Sequence, residues 1–279
     1  MDSDKITRAI QLLRENEPKD GKGYGLAFSG GKDSCVIKQL AIEAGVKFKA
    51  FYSVTTIDPP ELVRFIKEYH SDVAWLRNPK GGFFKRLIEK GIAPSFMIRW
   101  CCAEFKEQSL REYSAKIIGV RAAESPRRAK RWKSVVDDNQ QRGAIIVCPI
   151  VDWSDADVWH FIASRKLPYC SLYDDGFSRL GCIGCPLASA KNMRAELARW
   201  TSYEKAYRQA FCAMWERWHN VIIEHKHKNA PSTFAPHYAA KFANGDEWFE
   251  HYFNRGNAPL EDCQMELMFV GGSESEVRK

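Results

Sequence analysis

The 279-residue chain has no run of about 18 uninterrupted apolar residues, so it offers no membrane-spanning helix. Its opening stretch, MDSDKITRAIQLLREN, alternates charge with apolar residues and lacks the apolar centre of a secretory signal. We therefore expect a cytoplasmic protein with no membrane partner. Internal repeats and low-complexity tracts are absent too. With 45% hydrophobic and 28% charged residues, the collagen-like, disordered and miniprotein classes are excluded. A disulfide framework fits poorly, because the nine cysteines are an odd number and Cys101 and Cys102 are neighbours that could hardly bridge without strain. Metal or redox chemistry is the expectation for them.

What is present is an alternation of short apolar runs with helical patterns. Apolar spacing predicts a helix over Ser3 to Glu15, a strand over Tyr24 to Phe28, and a helix through Val36, Leu40 and Ala41. Strand and helix then alternate at Lys47 to Val54, Pro60 to Tyr69, Val73 to Leu76 and Phe83 to Lys90. Strands at Ala115 to Val120 and Ala144 to Cys148 and a helix at Asp155 to Ser164 follow, with no strand expected beyond Tyr173. Such alternation predicts an α/β fold, a parallel sheet flanked by helices. Tyr207, Phe211, Met214, Trp218 and Ile222 recur at helical spacing within Tyr203 to about His227, and core packing is the expected use of that face. We expect residues 1–187 to form the nucleotide domain, 188–270 a helical extension and 271–279 a frayed tail.

Ser29-Gly30-Gly31-Lys32-Asp33-Ser34, between the first strand and its helix, is the most informative hexapeptide. Two glycines let backbone amides approach an anion, the helix points its N-terminal amides at the same place, and Lys32 adds a mobile charge. The implied chemistry is phosphate binding. It is not a Walker A loop, because Leu26 stands where the first glycine is required and Asp33 follows the lysine.

Cys101-Cys102 and the distant Cys182-Ile-Gly-Cys185 can together complete a four-sulfur site, for zinc or for a 4Fe-4S cluster. Spacing leaves both open, along with a metal-free redox pair at Cys182 and Cys185. Cys35, Cys148, Cys170 and Cys212 suit the role of small buried hydrophobes. His160 reads as packing or surface, and His225 and His227 as a solvated helix end.

The net charge of +7 is modest, but seven basic residues and one acid, Glu124, lie between Lys116 and Lys133. Arg121, Arg127 and Arg128 follow a strand ending at Gly119, the edge at which α/β sheets bind ligands. Guanidinium forks there suit phosphate oxygens. Arg127, Lys130, Arg131 and Lys133, with Trp132 among them, could follow a nucleic-acid backbone and stack on a base.

SGGKDS after the first strand resembles the phosphate loop of the N-type ATP pyrophosphatases, or adenine nucleotide alpha hydrolases. Arg99-Trp-Cys-Cys with Lys106, Gly119-Val-Arg121-Ala-Ala-Glu124-Ser125 with Arg128, and Pro149 through Trp159 are most similar to the phosphoadenylylsulfate (PAPS) reductase-like branch, so the resemblance covers about residues 22–187. It implies ATP and Mg2+ as cofactors, cleavage between the α and β phosphates, and Ser29, Gly30, Gly31, Lys32, Asp33, Ser34 and Arg128 as ATP-binding residues. Lys32, Asp33 and Arg121 are the implied catalytic residues. The paired and spaced cysteines look like the cluster-binding pattern of assimilatory adenylylsulfate reductases, which places a 4Fe-4S cluster ahead of zinc.

The chain departs from those reductases in two ways. The C-terminal Glu-Cys-Gly-[Leu/Ile]-His string is absent, with Cys263 standing in Asp-Cys-Gln-Met, and the lysine their loop tends to drop is present as Lys32. Both departures favour ATP. The leading expectation is thus an AMP-forming ATP pyrophosphatase and sulfurtransferase that adenylates a substrate oxygen for replacement by sulfur. The branch's DNA phosphorothioation enzymes imply nucleic acid as acceptor, DNA ahead of tRNA, and a cysteine desulfurase or other sulfur donor as partner. Reduction of adenylylsulfate or its 3′-phospho form with thioredoxin is the alternative, followed by a non-catalytic nucleotide-binding subunit of a sulfur-transfer complex.

Overall fold

Apolar runs stopped by glycine or polar residues become the six strands of one sheet in the computed structural model, which describes residues 3–106, 110–138, 141, 143–221 and 234–254. The strands are β1 (Tyr24–Ala27), β2 (Phe48–Val54), β3 (Ala74–Arg77), β4 (Ala115–Ile117), β5 (Val135–Asp137) and β6 (Ile145–Val147). Their order is β3-β2-β1-β4-β6-β5. The helices of this part are α1 (Ser3–Glu15), α2 (Lys32–Ala44), α3 (Pro60–Tyr69), the first residue of α4 (Phe83–Lys90), α5 (Trp100–Phe105), α6 (Pro126–Arg131) and α7 (Asp155–Ser164). Together they form one unit, Met1–Phe83 with Met97–Ile183.

The sheet is predominantly parallel and flanked by helices, as expected, with one antiparallel edge strand that the sequence did not display. All neighbours run parallel except β5, which lies antiparallel to β6 with Val135 opposite Val147 and Asp137 opposite Ile145. The cause is length: residues 138–144 are too few for a crossover, which needs a dozen or more, so the pair closes as a hairpin. The Asp138 amide donates to the Ala144 carbonyl at 2.8 Å across its neck.

Leu26 of β1 and Ile117 of β4 are fully buried, as are Val36, Ile37, Leu40 and Ala41 of α2, Leu13 of α1 and Phe161 of α7. Each such side chain contributes roughly 1.5–3 kcal/mol by leaving water. The α2 helix packs against α1 and α7, which fixes the helix that begins in the glycine loop. Beyond β4 the Ile118 amide still reaches the Val147 carbonyl, and Gly119 and Val120 then join a loop, so the strand ends three residues before the pattern suggested.

The second unit comprises Phe84–Phe96 and Gly184–Lys279. It holds the rest of α4 and the helices α8 (Ala190–Arg199), α9 (Thr201–Trp218), α10 (Phe234–Ala239) and α11 (Gly245–Phe253). The α9 helix buries Tyr207, Phe211, Met214 and Trp218, so its apolar face is core. The Phe211 ring meets Trp248 and Phe249 edge-on. Gly245 permits this approach, because a Cβ there would lie 2.3 Å from the Cys212 Cα. Trp218 Nε1 donates to the Ile88 carbonyl and Tyr252 to that of Pro94, tying in the early segment. Ile222, His225, His227, Cys263 and the tail 271–279 lie outside the described residues. Among those described, no helix is long and apolar enough to cross a membrane.

Candidate nucleotide-phosphate site

The carboxyl end of β1 delivers Ser29 to Ser34 into a tight turn and then α2. Gly30 has φ +75°, and a Cβ on it would lie 2.7–2.8 Å from Leu62 and Ile66, so both backbone and packing require glycine. The Gly31 amide points at Ser29 Oγ, 3.3 Å away. Ser34 Oγ donates back to the Gly31 carbonyl at 2.7 Å. Lys32 is buried, with Nζ 2.9 Å from the Ser178 carbonyl and 3.2 Å from Asp155 Oδ1.

A second strand end meets this loop. Gly119, just beyond β4, lies so close to α2 that a Cβ would sit 3.2 Å from the Asp33 carbonyl oxygen. The chain then places Arg121 beside Asp33, with Nε to Oδ1 at 2.5 Å and Nη2 to Asp155 Oδ1 at 2.9 Å. Burial pushes the Asp33 carboxyl above its usual range, against the pull of Arg121 and Lys32. Lys32 and Arg121, two cations suited to a polyanion, are thus brought together, with Asp33 holding the arginine. Arg128 is held by the Glu124 carboxylate, which also takes the Arg121 amide.

The cysteines are arranged otherwise. A hydrogen bond from Cys101, with the Arg99 and Lys106 cations nearby, pulls the Cys102 thiol down to about 5. The Lys106 ammonium donates to Cys182 Sγ at 3.4 Å, and Thr55 and Asp58 lie 3.7 and 3.8 Å from the same sulfur. Cys185 belongs to the other unit. Among the described residues no three His, Cys, Asp or Glu side chains converge to hold a metal ion. The four-sulfur site expected from Cys101, Cys102, Cys182 and Cys185, for a 4Fe-4S cluster or zinc, draws its cysteines from both units, and the Lys106 ammonium hydrogen-bonds one of its sulfurs.

Arg127, Lys130, Arg131 and Lys133 are exposed on and just after α6. Trp132 is half-buried and packs on the buried cluster of Val120, Cys148 and Val151, with the Arg131 guanidinium over its ring. The four cations face solvent.

Sequence reasoning missed Asp155, Ser178 and Tyr173 as partners of Lys32. The Tyr173 hydroxyl accepts the Lys32 amide at 2.8 Å, and the ammonium lies 5.3 Å from its ring. No local pattern links positions 141 residues apart. Behind α2, the buried Cys35, Lys38 and His70 join the exposed Asp72. Lys38 Nζ lies 3.1 Å from His70 Nδ1 and 2.6 Å from Asp72, and His70 Nε2 faces Cys35 Sγ at 3.8 Å. Lys38 has only protons to offer, so Nδ1 is the acceptor and the ring is neutral. Burial and the Lys38 charge push His70 down to about 4, while burial pushes the Cys35 thiol up to about 12.

A glycine loop between β1 and α2, with a lysine at the helix start and an arginine from the loop after the neighbouring β4, is the candidate phosphate site of this α/β fold. The chain belongs to the family of the phosphoadenosine phosphosulfate reductase domain, whose model matches residues 24–188. Two uncharacterised proteins of Methanocaldococcus jannaschii are similar to it. One is 28% identical over 232 residues, covering 79% of this chain and 46% of its own length. The other is 33% identical over 223 residues, covering 72% and 48%. The chain thus spans about half the length of these relatives. An adenosine 5′-phosphosulfate reductase of Staphylococcus epidermidis is 34% identical over 93 residues, 33% of this chain and 37% of that enzyme. Among solved structures, the PAPS reductase of Candida auris shares 16% identity at TM-score 0.48, over 65% of this chain and 96% of that one.

Proposed function

We propose that the chain is an adenine-nucleotide enzyme of sulfur chemistry that reduces adenylylsulfate, or its 3′-phospho form, to sulfite. The observation that carries this reading is the convergence of Lys32, Asp33 and Arg121 on the glycine loop, within the segment that matches the reductase domain. The loop amides and Lys32 hold the nucleotide's anionic end, and Arg121, fixed by Asp33 and Asp155, offsets charge on the departing phosphate. A thiolate takes the sulfonyl group as its sulfur–oxygen bond to phosphate breaks, and AMP leaves with that oxygen. A second thiol then attacks the first, forming a disulfide and releasing sulfite. Sulfur gains two electrons and the thiols of a thioredoxin-type dithiol lose two.

Two observations favour a second reading, Mg2+-dependent adenylation by ATP followed by sulfur transfer to nucleic acid. Lys32 stands in the loop as a compact charge suited to a leaving pyrophosphate, and Arg127, Lys130, Arg131 and Lys133 are exposed. One anaerobic assay separates the two. Sulfite and AMP from adenylylsulfate plus a dithiol, without ATP, support the reductase. AMP and pyrophosphate from ATP, dependent on DNA or tRNA, support the transferase. ADP and phosphate as products would refute both.

A further inference from the structure

Two N–H groups at the glycine loop are already satisfied within the chain. Ser29 Oγ takes that of Gly31, and the Tyr173 hydroxyl takes that of Lys32. The lysine side chain is engaged from the same direction, because Nζ donates to the carbonyl of Ser178, five residues past that tyrosine. One segment therefore occupies both the backbone and side-chain donors of the residue whose charge the chemistry needs free. The phenol oxygen also borders the anion position: a Cβ on Gly31 would lie 3.3 Å from it.

The same segment is anchored at its start and exposed beyond it. Cys170 and Leu172 are buried and anchor its start. Residues 174–176, 178 and 179 are exposed, and Gly176 turns the chain at φ +89°. Past Tyr173 its bonds include the Tyr169 hydroxyl on Asp174 and the Phe177 amide on the Leu172 carbonyl. The Tyr173 ring rests edge-on against Trp159 at 5.1 Å.

We infer that Tyr173 is the gating residue of the phosphate loop: its hydroxyl holds a phosphate oxygen's place on the Lys32 amide, and a nucleotide binds only as residues 173–178 withdraw. The withdrawal releases the amide from Tyr173 and the ammonium from Ser178 in one motion, leaving the ammonium paired with Asp155. The observed affinity is then the intrinsic affinity reduced by the fraction of molecules whose loop is open. The inference rests on Ser29–Ser34 being a phosphate loop, and it holds for either nucleotide reading.

The test is calorimetric titration of wild type and Tyr173→Phe with Mg-ATP and, separately, adenylylsulfate. Removing the hydroxyl deletes one neutral hydrogen bond from the closed state alone, so the variant should bind the accepted nucleotide roughly three- to tenfold more tightly. Hydrogen exchange on the wild type is an independent measurement should the variant fold poorly: the accepted nucleotide should speed exchange at the amides of 173–178. Unchanged or weaker binding by a folded Tyr173→Phe, or protection of 173–178 on binding, overturns the gate while leaving the phosphate loop standing. Absence of binding by both proteins removes the phosphate-loop reading and the gate with it. Binding by the variant but not by wild type is the strongest form of the expected result.

Discussion

Acidification should unlock the buried group behind α2, and the cost can be worked from His70. Its imidazole is neutral in the fold, wedged between the Lys38 ammonium and the Cys35 thiol, with the rings of Phe28 and Phe65 against it. The folded value is about 4, against an ordinary 6.5. A folded value below the unfolded one means that the unfolded chain takes the proton first as pH falls. Stability from this group is complete above about 6.5 and is lost progressively down to about 4. The loss approaches about 3 kcal/mol, large beside the roughly 5–15 kcal/mol that holds a typical domain folded. Carboxylates titrate over the same range, so the useful quantity is the difference between wild type and His70→Gln, whose side-chain carbonyl can still accept from Lys38. Urea unfolding followed by circular dichroism should find the variant the weaker by about 1–2 kcal/mol at pH 7. The gap should close or reverse by pH 4. Parallel stability curves over that range, or an imidazole resonance of His70 titrating above pH 6, would refute the reasoning.

Three further outcomes follow from the site. Lys32→Ala removes a charged donor from the loop and should weaken the accepted nucleotide by roughly tenfold or more in calorimetry, with a smaller effect on the thermal midpoint, since charged hydrogen bonds contribute about 1.5–3 kcal/mol. Gly30→Ala drives a methyl group into Leu62 and Ile66 at a positive φ; urea unfolding should show a loss of roughly 1–3 kcal/mol, and a variant as stable as wild type would contradict the geometry. If a nucleic-acid strand follows α6, changing Lys130, Arg131 and Lys133 together to Ala should lower the slope of log affinity against log salt by about two to three. No wild-type binding to DNA or RNA at low salt would end that reading.

Where apolar spacing was long and regular, the sequence and the fold agree residue for residue, as at Ser3–Glu15, Pro60–Tyr69, Phe83–Lys90 and Asp155–Ser164. Short elements were hidden. Val135 and Val136 are too few to display alternation, and Trp100–Phe105 spans less than two turns, so neither β5 nor α5 shows a period. The site divides along the same line. Glycines, lysine and aspartate in one hexapeptide can be read directly, and Arg121 follows from its place after a strand end. Tyr173, Ser178 and Asp155 reach Lys32 only through folding, and a backbone carbonyl has no residue-type signature at all. The lysine beside the thiols is visible as Lys106, but its aim at Cys182 depends on bringing together positions 76 residues apart.

The reversed direction of β5 determines where the basic run enters the molecule. Because Val135 stands opposite Val147, the chain arrives at β5 from the carboxyl end of its neighbour, the end from which Ser29 and Arg121 also emerge. Had β5 run parallel to β6, the cations of 127–133 would come in about 10 Å lower, at the amino ends of the strands, given roughly 3.3 Å per residue. One short hairpin thus acts as a routing device, delivering a strip of charge to the same rim as the phosphate loop. A polyanion drawn to that strip would arrive facing the nucleotide. Lengthening the seven-residue link between β5 and β6 until the strand could pair the other way would redirect the approach without altering a single charged side chain.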